Sequence, residues 1–506
     1  MEVKTINTES YRQSNLVYQE DLEKLTPTRI MEFIKHHHDH QQPRLLKLDQ
    51  YYQGRNVGIL SQINRRIDDN HADYRASHSF AKYIADFQTA YSVGNAINIQ
   101  GGENSERFDE INRANDVDAQ NYDLFLDVTR YGRAYEYVYR GIDDLEHFVK
   151  FDPLQTFIIY SLDVDPIPVM AVRYQEVQTL DENRTINVIP ETWTSSEHLT
   201  YQPCAVGGQL TVSNRKNINC FPVVEYSNNN FRIGDFETVI PLIDLYDAAQ
   251  SDTANYMTDL NDALLVIQGD IDTLFEGSDL LRGVDPNDEG AMAKLAEDKL
   301  NLIKEMKNAN MLLLKSGTNF SGQQTSVDAK YINKEYDVNG TEAYKKRLAS
   351  DIHKFSHTPD LNDENFAGNS SGVAMKYKVL GTVEMAATKR RMFESGLRER
   401  YRIVTALEKR ASNDWNVDPN DLVFTFKDNL PTDDIETVKQ LKDAGALIPQ
   451  SYLYTFLPGV TDASEIAKQL ADEHSQQVQQ AKKDYGAQTD SEVNADDEED
   501  STTETE

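Results

Sequence analysis

Residues 339–411 read NGTEAYKKRLASDIHKFSHTPDLNDENFAGNSSGVAMKYKVLGTVEMAATKRRMFESGLRERYRIVTALEKRA. In the first part of this stretch, apolar residues recur at the spacing of one helix face. They are Ala343, Leu348, Ile352 and Phe355. The pattern predicts a helix over residues 339–358, capped by the side chain of Asn339 or Thr341 and ended by Pro359.

A polar loop and a long helix follow this first helix. Residues 360–372, DLNDENFAGNSSG, are rich in Gly, Asn and Ser, which favour turns over a packed element. From residue 373 to Ala411 the pattern is helical and contains no proline. A helix of that length would span about 58 Å, which exceeds the width of a small domain. Gly381 and Gly396 are weak interior positions that allow kinks.

The charge of the long helix differs from that of the whole chain. Between Lys376 and Arg410 there are ten Lys and Arg residues and four Glu, whereas the chain has a net charge of −33. A basic helix in an acidic protein predicts an acidic partner surface, which is either nucleic acid or another part of the same assembly. Of the two, we favour pairing with acidic neighbours.

Composition limits the class of protein. A chain of 506 residues predicts two to four structural units. It has no apolar run long enough for a transmembrane helix, and its polar N-terminus predicts that it is not exported by the usual route. Cys204 and Cys220 are expected to be free thiols in a reducing compartment. The net negative charge argues against a tight, sequence-independent DNA binder, but not against a surface past which DNA slides.

The first half of the chain changes from a helical to a strand pattern. Residues 1–130 are predicted to be mainly helical, and one helix within 72–97 carries an aromatic face. That face comprises Phe80, Tyr83, Ile84, Phe87 and Tyr91. From Tyr131 the period becomes two, with β-branched and aromatic residues alternating to about Ser227. The stretch NNNFRIGD, residues 228–235, predicts a turn-rich break.

A second helix and an insert precede the opening stretch. Residues 241–264 are predicted to form one helix whose apolar stripe comprises Leu242, Leu245, Tyr246, Ala249, Tyr256, Met257, Leu260 and Leu264. Residues 265–338 are predicted to form a small α/β insert with a helix over 291–306. The helices 241–264 and 339–358 flank this insert and can form an antiparallel pair.

After the long helix the pattern changes again. DLVFTFKDN, residues 421–429, predicts a strand, and two later helices open with a D-x-x-E pattern at Asp433 and Asp462. The end of the chain, residues 488–506, contains nine acids and no base. Such a segment cannot bury a core and is expected to be disordered.

Catalytic motifs are scarce in the sequence. It contains no P-loop pattern, no H-E-x-x-H, no G-x-S-x-G and no paired C-x-x-C. The one concentrated cluster is HHHDH, residues 36–40, where His36 and His40 would share a helix face as zinc ligands can. A solvated helix end with incidental metal affinity is the interpretation that we prefer.

Four blocks together resemble the portal proteins of tailed bacteriophages, of the type found in siphophages of Gram-positive hosts. The blocks are LLKLDQYYQGRNVGIL (45–60), ADYRASHSFAKYIADFQTAYSVGNAI (72–97), FETVIPLIDLYDAAQSDTANYMTDLNDALLVIQG (236–269) and NSSGVAMKYKVLGTVEMAATKRRMFESGL (369–397). No single block is a catalytic signature, but their number and order make the resemblance specific.

The resemblance implies an α+β, mainly helical, multi-domain fold that assembles as a ring with a central channel. The implied parts are a wing (1–235), a stem helix (236–264), a clip (265–338), a second stem helix (339–358), a tunnel loop (359–372), a long kinked helix joining stem to wing (373–411), a crown (412–487) and an acidic tail (488–506).

The resemblance also implies partners and a site. The partners are about twelve copies of the chain, viral double-stranded DNA, the terminase large subunit, capsid and scaffold proteins, and a head-completion or adaptor protein, with no membrane. The protein would be assembled in the host cytoplasm and lie at a capsid vertex. The tunnel-loop residues expected in the channel are Asp360, Asn362, Asp363, Glu364, Asn365, Asn369, Ser370 and Ser371.

Repetition around a ring would make the acids of this loop repel DNA and let it slide, while Asn and Ser could make weak contacts with phosphates. The alternative for this loop is a plain surface turn with no DNA role. We expect no catalytic residue, no cofactor and no metal.

Two other functions are compatible with the residues. The chain could be another capsid assembly protein, such as a scaffold or coat, which would not form closed rings of twelve or thirteen subunits. Less consistent with the motifs is a metal-dependent phosphohydrolase or nuclease that uses the histidine cluster. Metal-dependent activity abolished by His38→Ala would favour that enzyme.

Overall fold

The computed structural model describes most of the first 429 residues. The described residues are 12–63, 65, 73–100, 106–178, 186–259, 264–269, 290, 294, 297, 300, 301, 304, 311–315, 328–332, 337–360, 379–411, 415, 417–429 and 443. All of these except residue 443 belong to one compact unit that comprises residues 1–370 and 374–429. Helices and strands are mixed within it, as the sequence predicts.

The helices follow the predicted order. In chain order they are α1 Pro27–His36, α2 Gln42–Tyr52, α3 Val57–Leu60, α4 Phe80–Val93, α5 Glu106–Ala114, α6 Val117–Tyr131, α7 Ile240–Asp259, α8 Val338–Phe355 and α9 Leu380–Ala411. The helical character predicted for the N-terminal region is confirmed by α1 to α6. Within α4, Ile84 is buried, whereas Tyr83 and Phe87 stack on each other and are half-buried.

The strands in the described part of the chain form four separate sheets. In chain order they are β1 Tyr18–Gln19, β2 Asn98–Gln100, β3 Arg133–Arg140, β4 Glu146–Phe151, β5 Thr156–Tyr160, β6 Pro168–Gln178, β7 Ile186–Trp193, β8 Glu197–Tyr201, β9 Val212–Asn217, β10 Val223–Ser227, β11 Leu264–Gly269, β12 Met311–Lys315, β13 Asp328–Ile332 and β14 Val423–Thr425. The largest sheet has the order β1-β5-β6-β7-β8-β9, and a second sheet has the order β10-β3-β4. Sequence analysis missed β9 because all six of its residues are exposed and it has no apolar alternation.

The insert after α7 combines strands with helical residues, as predicted. Strand β11 pairs in parallel with β12 and antiparallel with β13. Between β11 and β12, the described residues 290, 294, 297, 300, 301 and 304 are helical. A parallel pair needs such a crossover connection. The predicted end of the preceding helix at Leu264 is wrong, because that residue begins β11.

The start of α8 differs from the prediction in its capping residue. The helix begins at Val338, and the carboxylate of Asp337 accepts a hydrogen bond from the backbone N–H of Gly340 at 2.8 Å. Neither Asn339 nor Thr341 is the cap, since both lie inside the helix. Leu348 and Ile352 are buried as predicted, whereas Phe355 is exposed.

The long helix α9 starts later than predicted. It begins at Leu380, after a turn at Val379, and its 32 residues span about 48 Å. The helix buries Phe393, Leu397 and Tyr401 in the main core beside α6 and β10. Gly396 has a packing role, because a Cβ atom there would lie 2.4 Å from Cδ1 of Tyr226 on β10. A glycine at this position therefore lets the helix approach the sheet closely.

The residues after α9 return to the same core. Trp415 and Phe424 are buried with Phe108 of α5 in this core, and β14 pairs antiparallel with β2. The predicted strand in residues 421–429 is thus confirmed. The compact unit extends to residue 429. The remainder of the predicted crown (apart from residue 443) and the acidic tail lie outside the described residues.

Two simpler expectations can be compared with the structure. Cys204 and Cys220 are free thiols, as predicted. Each helix in the described part of the chain is too short or too polar to cross a membrane.

Candidate functional site

The predicted channel loop is represented in the structure by its first residue. Asp360 is described, whereas Asn362, Asp363, Glu364, Asn365, Asn369, Ser370 and Ser371 lie outside the described residues. Their position in a channel therefore stays a prediction. The two ends of the loop, however, can be examined in detail.

Hydrogen bonds hold the two ends of the loop together. After α8, His357 adopts a left-handed backbone conformation with φ of 53°, which redirects the chain. Its carbonyl oxygen accepts from the hydroxyl of Thr382 on α9 at 2.6 Å and from the amide of Gln88 on α4 at 3.2 Å. The hydroxyl of Tyr83, also on α4, donates to the carbonyl of Pro359 at 2.9 Å. The C-terminal end of α8 and the N-terminal end of α9 are therefore held together beside α4.

A cavity of about 250 Å³ lies beside this anchor. Its lining residues are His78, Ser79, Phe80, Tyr83, His353 and Asp360. Burial lowers the pKa of His353, and the nearby Asp360 carboxylate raises it by a smaller amount. His353 is consequently neutral at neutral pH, and Asp360 is the acidic group at the start of the loop.

Five of the eight basic residues of α9 pair with carboxylates of the same chain. The pairs are Lys389 with Asp235, Arg390 with Asp428, Arg398 with Glu394, Arg400 with Glu136 and Arg402 with Glu399. Lys376 and Lys378 lie outside the described residues. The acidic-neighbour interpretation of this helix is confirmed for Lys389, Arg390 and Arg400, whereas Arg398 and Arg402 pair with glutamates of α9 itself.

Two of these pairs are fully buried. The guanidinium of Arg400 makes a bidentate contact with Glu136 of β3, at 2.7 and 2.9 Å, and a third bond to Asn121 at 2.8 Å. Burial by itself lowers the pKa of Arg400, but the Glu136 carboxylate outweighs it and raises the pKa. Lys389 contacts Asp235 and the hydroxyl of Thr129, and burial lowers the pKa of Lys389.

The predicted apolar stripe of α7 does not form its buried face. Leu245 and Met257 of the stripe are 49% and 45% exposed. The buried residues lie on the opposite side, where Ile240 and Ile243 are followed by the polar Asp247, Ser251 and Asn255. The stripe is therefore only partly buried, since Leu242 and Tyr246 pack against the core whereas Leu245 and Met257 do not.

The polar face of α7 binds an extended segment, residues 73–78, which we call the strap. The hydrogen bonds, donor first, are Tyr74 N to Asn255 Oδ1 at 2.7 Å, Ala76 N to Ser251 Oγ at 2.9 Å and His78 N to Asp247 Oδ1 at 3.0 Å. Four helical residues advance about 6 Å, and two extended residues advance about 6.6 Å. Each turn of α7 therefore meets every second residue of the strap.

Asp247 is the most heavily bonded member of this face. Its side chain is 0% exposed and also accepts from the amide of Asn56 at 2.6 Å and from Nδ1 of His78 at 2.7 Å. Sequence reasoning missed these residues, although their spacing of four, D-x₃-S-x₃-N, places them on one helix face. That face is polar because it accepts hydrogen bonds from the backbone N–H groups of the strap, which the helix sequence does not indicate.

The histidine cluster is not a solvated helix end. Residues 37–41 form a π-helical turn between α1 and α2, and His37 is buried with Nδ1 2.6 Å from the hydroxyl of Tyr174. Nδ1 of His36 lies 2.9 Å from the hydroxyl of Tyr18. Burial lowers the pKa of both His36 and His37. Within the described ranges, no group of three or more His, Cys, Asp or Glu residues is arranged to hold a metal ion.

Comparison with known proteins defines the class as the phage portal proteins. A family model described as "Phage portal protein, SPP1 Gp6-like" matches residues 31–480. The chain therefore belongs to this family, whose members are structural head-to-tail connectors of the virion.

One relative and one solved structure illustrate the similarity. A portal protein of Clostridium phage phiCD119 is 21% identical over 475 residues, which covers 87% of this chain and 95% of the relative. A chain from the neck of an empty GTA particle, computed with C6 symmetry, covers 80% of this chain and 99% of its own length. It has 12% identity and a TM-score of 0.38.

Proposed function

We propose that about twelve copies of the chain form a closed ring at one capsid vertex, and that viral double-stranded DNA passes through its channel during packaging and ejection. Membership of the portal family is the observation that supports this proposal most strongly. In a ring of identical copies, each subunit presents two different surfaces that meet head to tail.

Exposed apolar residues on the helix pair α7 and α8 favour such an assembly. Leu245 and Met257 on α7 are 49% and 45% exposed, and Tyr344 and Phe355 on α8 are 48% and 55% exposed. Large apolar side chains grouped on neighbouring helices are typical of protein interaction surfaces. A neighbouring copy in the ring would remove them from water.

The parts of the proposed ring follow the order of the chain. Residues up to 235 would form the wing, α7 and α8 the stem, and the insert between them the clip. The loop between α8 and α9 would line the channel, and α9 would join it to the wing. Because residues 415–429 pack into the wing core, we assign the crown to the chain after residue 429.

The proposed partners follow from these assignments. The clip would dock the terminase large subunit during packaging and later a head-completion or adaptor protein, while capsid and scaffold proteins would surround the wing. Assembly would take place in the host cytoplasm. The proposed role is structural, without catalytic residues, cofactor or metal.

Ring formation can be tested at the exposed apolar residues. In sedimentation velocity and negative-stain microscopy, the wild-type protein should form closed rings with a central hole. Leu245→Glu and Phe355→Glu should shift the protein to smaller species, because each places a charge in the proposed contact. Ile142→Glu, on the fully exposed turn between β3 and β4, is the matched control and should leave rings intact. A wild-type protein that remains a monodisperse monomer would contradict the proposal.

The channel role of the loop needs a separate test. Replacing Asp363 and Glu364 with Lys would add about two dozen basic side chains to a twelvefold ring. DNA should then bind more tightly with a steeper salt dependence, and less DNA should be packaged per procapsid. Asp163→Lys with Asp165→Lys, in the exposed turn between β5 and β6, makes the same change of charge elsewhere.

The outcomes of the loop test separate three possibilities. Slower packaging with normal rings, seen only in the loop variant, would support the channel role. Normal packaging with unchanged DNA affinity would mean that the loop does not line the channel. Failure to form rings would mean that the loop belongs to the contact between subunits.

A further inference from the structure

Two buried glutamates meet where the C-terminal end of α9 reaches the hairpin formed by β3 and β4. Glu408 of α9 and Glu146 of β4 have side chains that are 2% and 0% exposed. One nitrogen, Nη1 of Arg140, lies 2.5 Å from Oε1 of Glu146 and 3.0 Å from Oε1 of Glu408. The two carboxyl groups are therefore close neighbours in a site that excludes water.

All guanidinium nitrogens of the two arginines in this cluster donate to other groups. In Arg140, Nε and Nη2 both donate to the carboxylate of Asp144. In Arg107 of α5, Nη1 donates to Glu110, Nε and Nη2 donate to Glu408, and Nη2 also contacts the carbonyl of Asp144. Each guanidinium nitrogen therefore already has a partner.

One oxygen in the cluster lacks a donor. Among the described residues, no donor lies within hydrogen-bonding distance of the buried Oε2 atom of Glu146. A buried carboxylate oxygen without a donor is costly, whereas a protonated carboxyl group turns that oxygen into a donor. The neighbouring carboxylate of Glu408 is the acceptor that such a proton requires.

We propose that Glu146 is held in its protonated form and shares its proton with the carboxylate of Glu408, so that one proton fastens the end of α9 to the β3–β4 hairpin. The charged groups that face this proton come from four elements and one turn. They are Arg107 and Glu110 of α5, Arg140 of β3, Asp144 of the turn, Glu146 of β4 and Glu408 of α9.

The direction of the pKa shifts agrees with this arrangement. Burial and the neighbouring Glu408 raise the pKa of Glu146 from 4.5 to about 8. Burial also raises the pKa of Glu408, but its hydrogen bond with Glu146 and its contact with Arg107 outweigh burial and lower that pKa. Glu146 therefore holds the proton and Glu408 carries the charge.

The shared proton makes stability depend on pH in one direction. Above pH 4.5, the ordinary value for glutamate, the unfolded chain has released this proton while the folded protein still holds it. The stability contributed by the pair is thus complete below pH 4.5 and falls as the pH rises to about 8. Above that value the proton leaves to solvent, and the attachment of α9 to the hairpin weakens.

The substitution Glu146→Gln tests the proposal without a need for ring assembly or DNA. A glutamine amide can donate to Glu408 permanently and does not titrate. Urea unfolding midpoints of both proteins should be measured from about pH 5 to about pH 9. The wild-type midpoint should fall relative to that of the variant as the pH rises, and the difference should level off above about pH 8. Glu110→Gln, which removes an exposed acid bound to the same Arg107, should retain the wild-type slope.

If the variant does not fold, infrared spectroscopy of the wild-type protein tests the proposal instead. The carbonyl stretch of a buried protonated carboxyl group should be present at neutral pH and disappear at alkaline pH. Absence of that band at neutral pH would overturn the proposal. An equal pH slope in wild type and Glu146→Gln would also overturn it, because both glutamates would then be ionised and neutralised by the arginines alone.

Discussion

Replacing Arg400 with methionine should destabilise the protein by about 3–5 kcal/mol, because it leaves the Glu136 carboxylate buried without its cation. Both side chains are 0% exposed. The carboxylate would keep only neutral donors, the hydroxyl of Tyr226 at 2.7 Å and the amide of Gln120 at 3.1 Å. Such donors can bind the carboxylate but cannot cancel its charge.

The size of this effect can be separated from the loss of packing by a double-mutant cycle. The double variant Arg400→Met with Glu136→Leu removes both charges, and it should be much closer to wild type than either single variant. Arg402→Met is the matched control on the same helix, since its pair with Glu399 is about half exposed. That control should change stability by less than about 1 kcal/mol.

Urea unfolding followed by tryptophan fluorescence is a suitable assay. Trp415 is buried in the core that contains α9, next to Phe108 at 6.4 Å between ring centroids. All variants should be compared at one protein concentration, because assembly contributes to apparent stability. Exposed ion pairs contribute less than about 1 kcal/mol to the free energy of unfolding. A loss that small for Arg400→Met would show that water screens the Arg400–Glu136 pair and would refute the reasoning.

Three further predictions concern other parts of the described chain. Asp247→Ala should lower the free energy of unfolding by about 3 kcal/mol, because it leaves buried donors of the strap without an acceptor. The control Asp252→Ala removes a side chain that is 74% exposed and should cost less than about 1 kcal/mol in the same urea assay. Gly396→Ala should destabilise by about 1–3 kcal/mol because the methyl group meets an aromatic ring. Gly381→Ala should cost less in thermal unfolding, because its nearest neighbour is a side-chain nitrogen of His357 at 3.1 Å rather than a buried ring at 2.4 Å. Burial raises the pKa of Glu225, but Arg232, through its charge and its hydrogen bonds together, has the larger effect and lowers that pKa to about 2. The ionised Glu225 therefore stabilises the protein above pH 4.5, and this stabilisation is lost as the pH falls to about 2. Glu225→Gln should flatten the acid limb of the stability profile, and an unchanged acid limb would contradict the assignment.

The order of helices and strands could be predicted from local periodicity. Strands β3, β5, β6, β7, β8 and β10 lie where the apolar pattern has a period of two, and the predicted α/β insert contains β12 and β13. Buried positions such as Leu348 and Ile352 were also predictable, since they recur at the spacing of one helix face. Boundaries were less accurate, as Leu264 shows, because the end of an element depends on contacts that a local pattern does not contain.

The candidate site was predictable in its chemistry and less so in its geometry. The acids and amides of residues 360–372 follow from the sequence, and their place in a channel stays a prediction. The structure adds that the loop ends are tied together through Thr382 and His357. It also shows that Lys389, Arg390 and Arg400 of α9 face acids from other parts of the chain, which no local pattern could reveal.

The sequence by itself determined which segments become helices and strands, how charge is distributed along them, and the resemblance to phage portal proteins. Tertiary structure alone decided which polar and charged side chains are buried. The polar face of α7 is inside because the strap supplies backbone donors to Asp247, and Arg400 is inside because β3 supplies Glu136. A polar side chain can be buried only where a partner satisfies it, and these partners lie more than a hundred residues away along the chain.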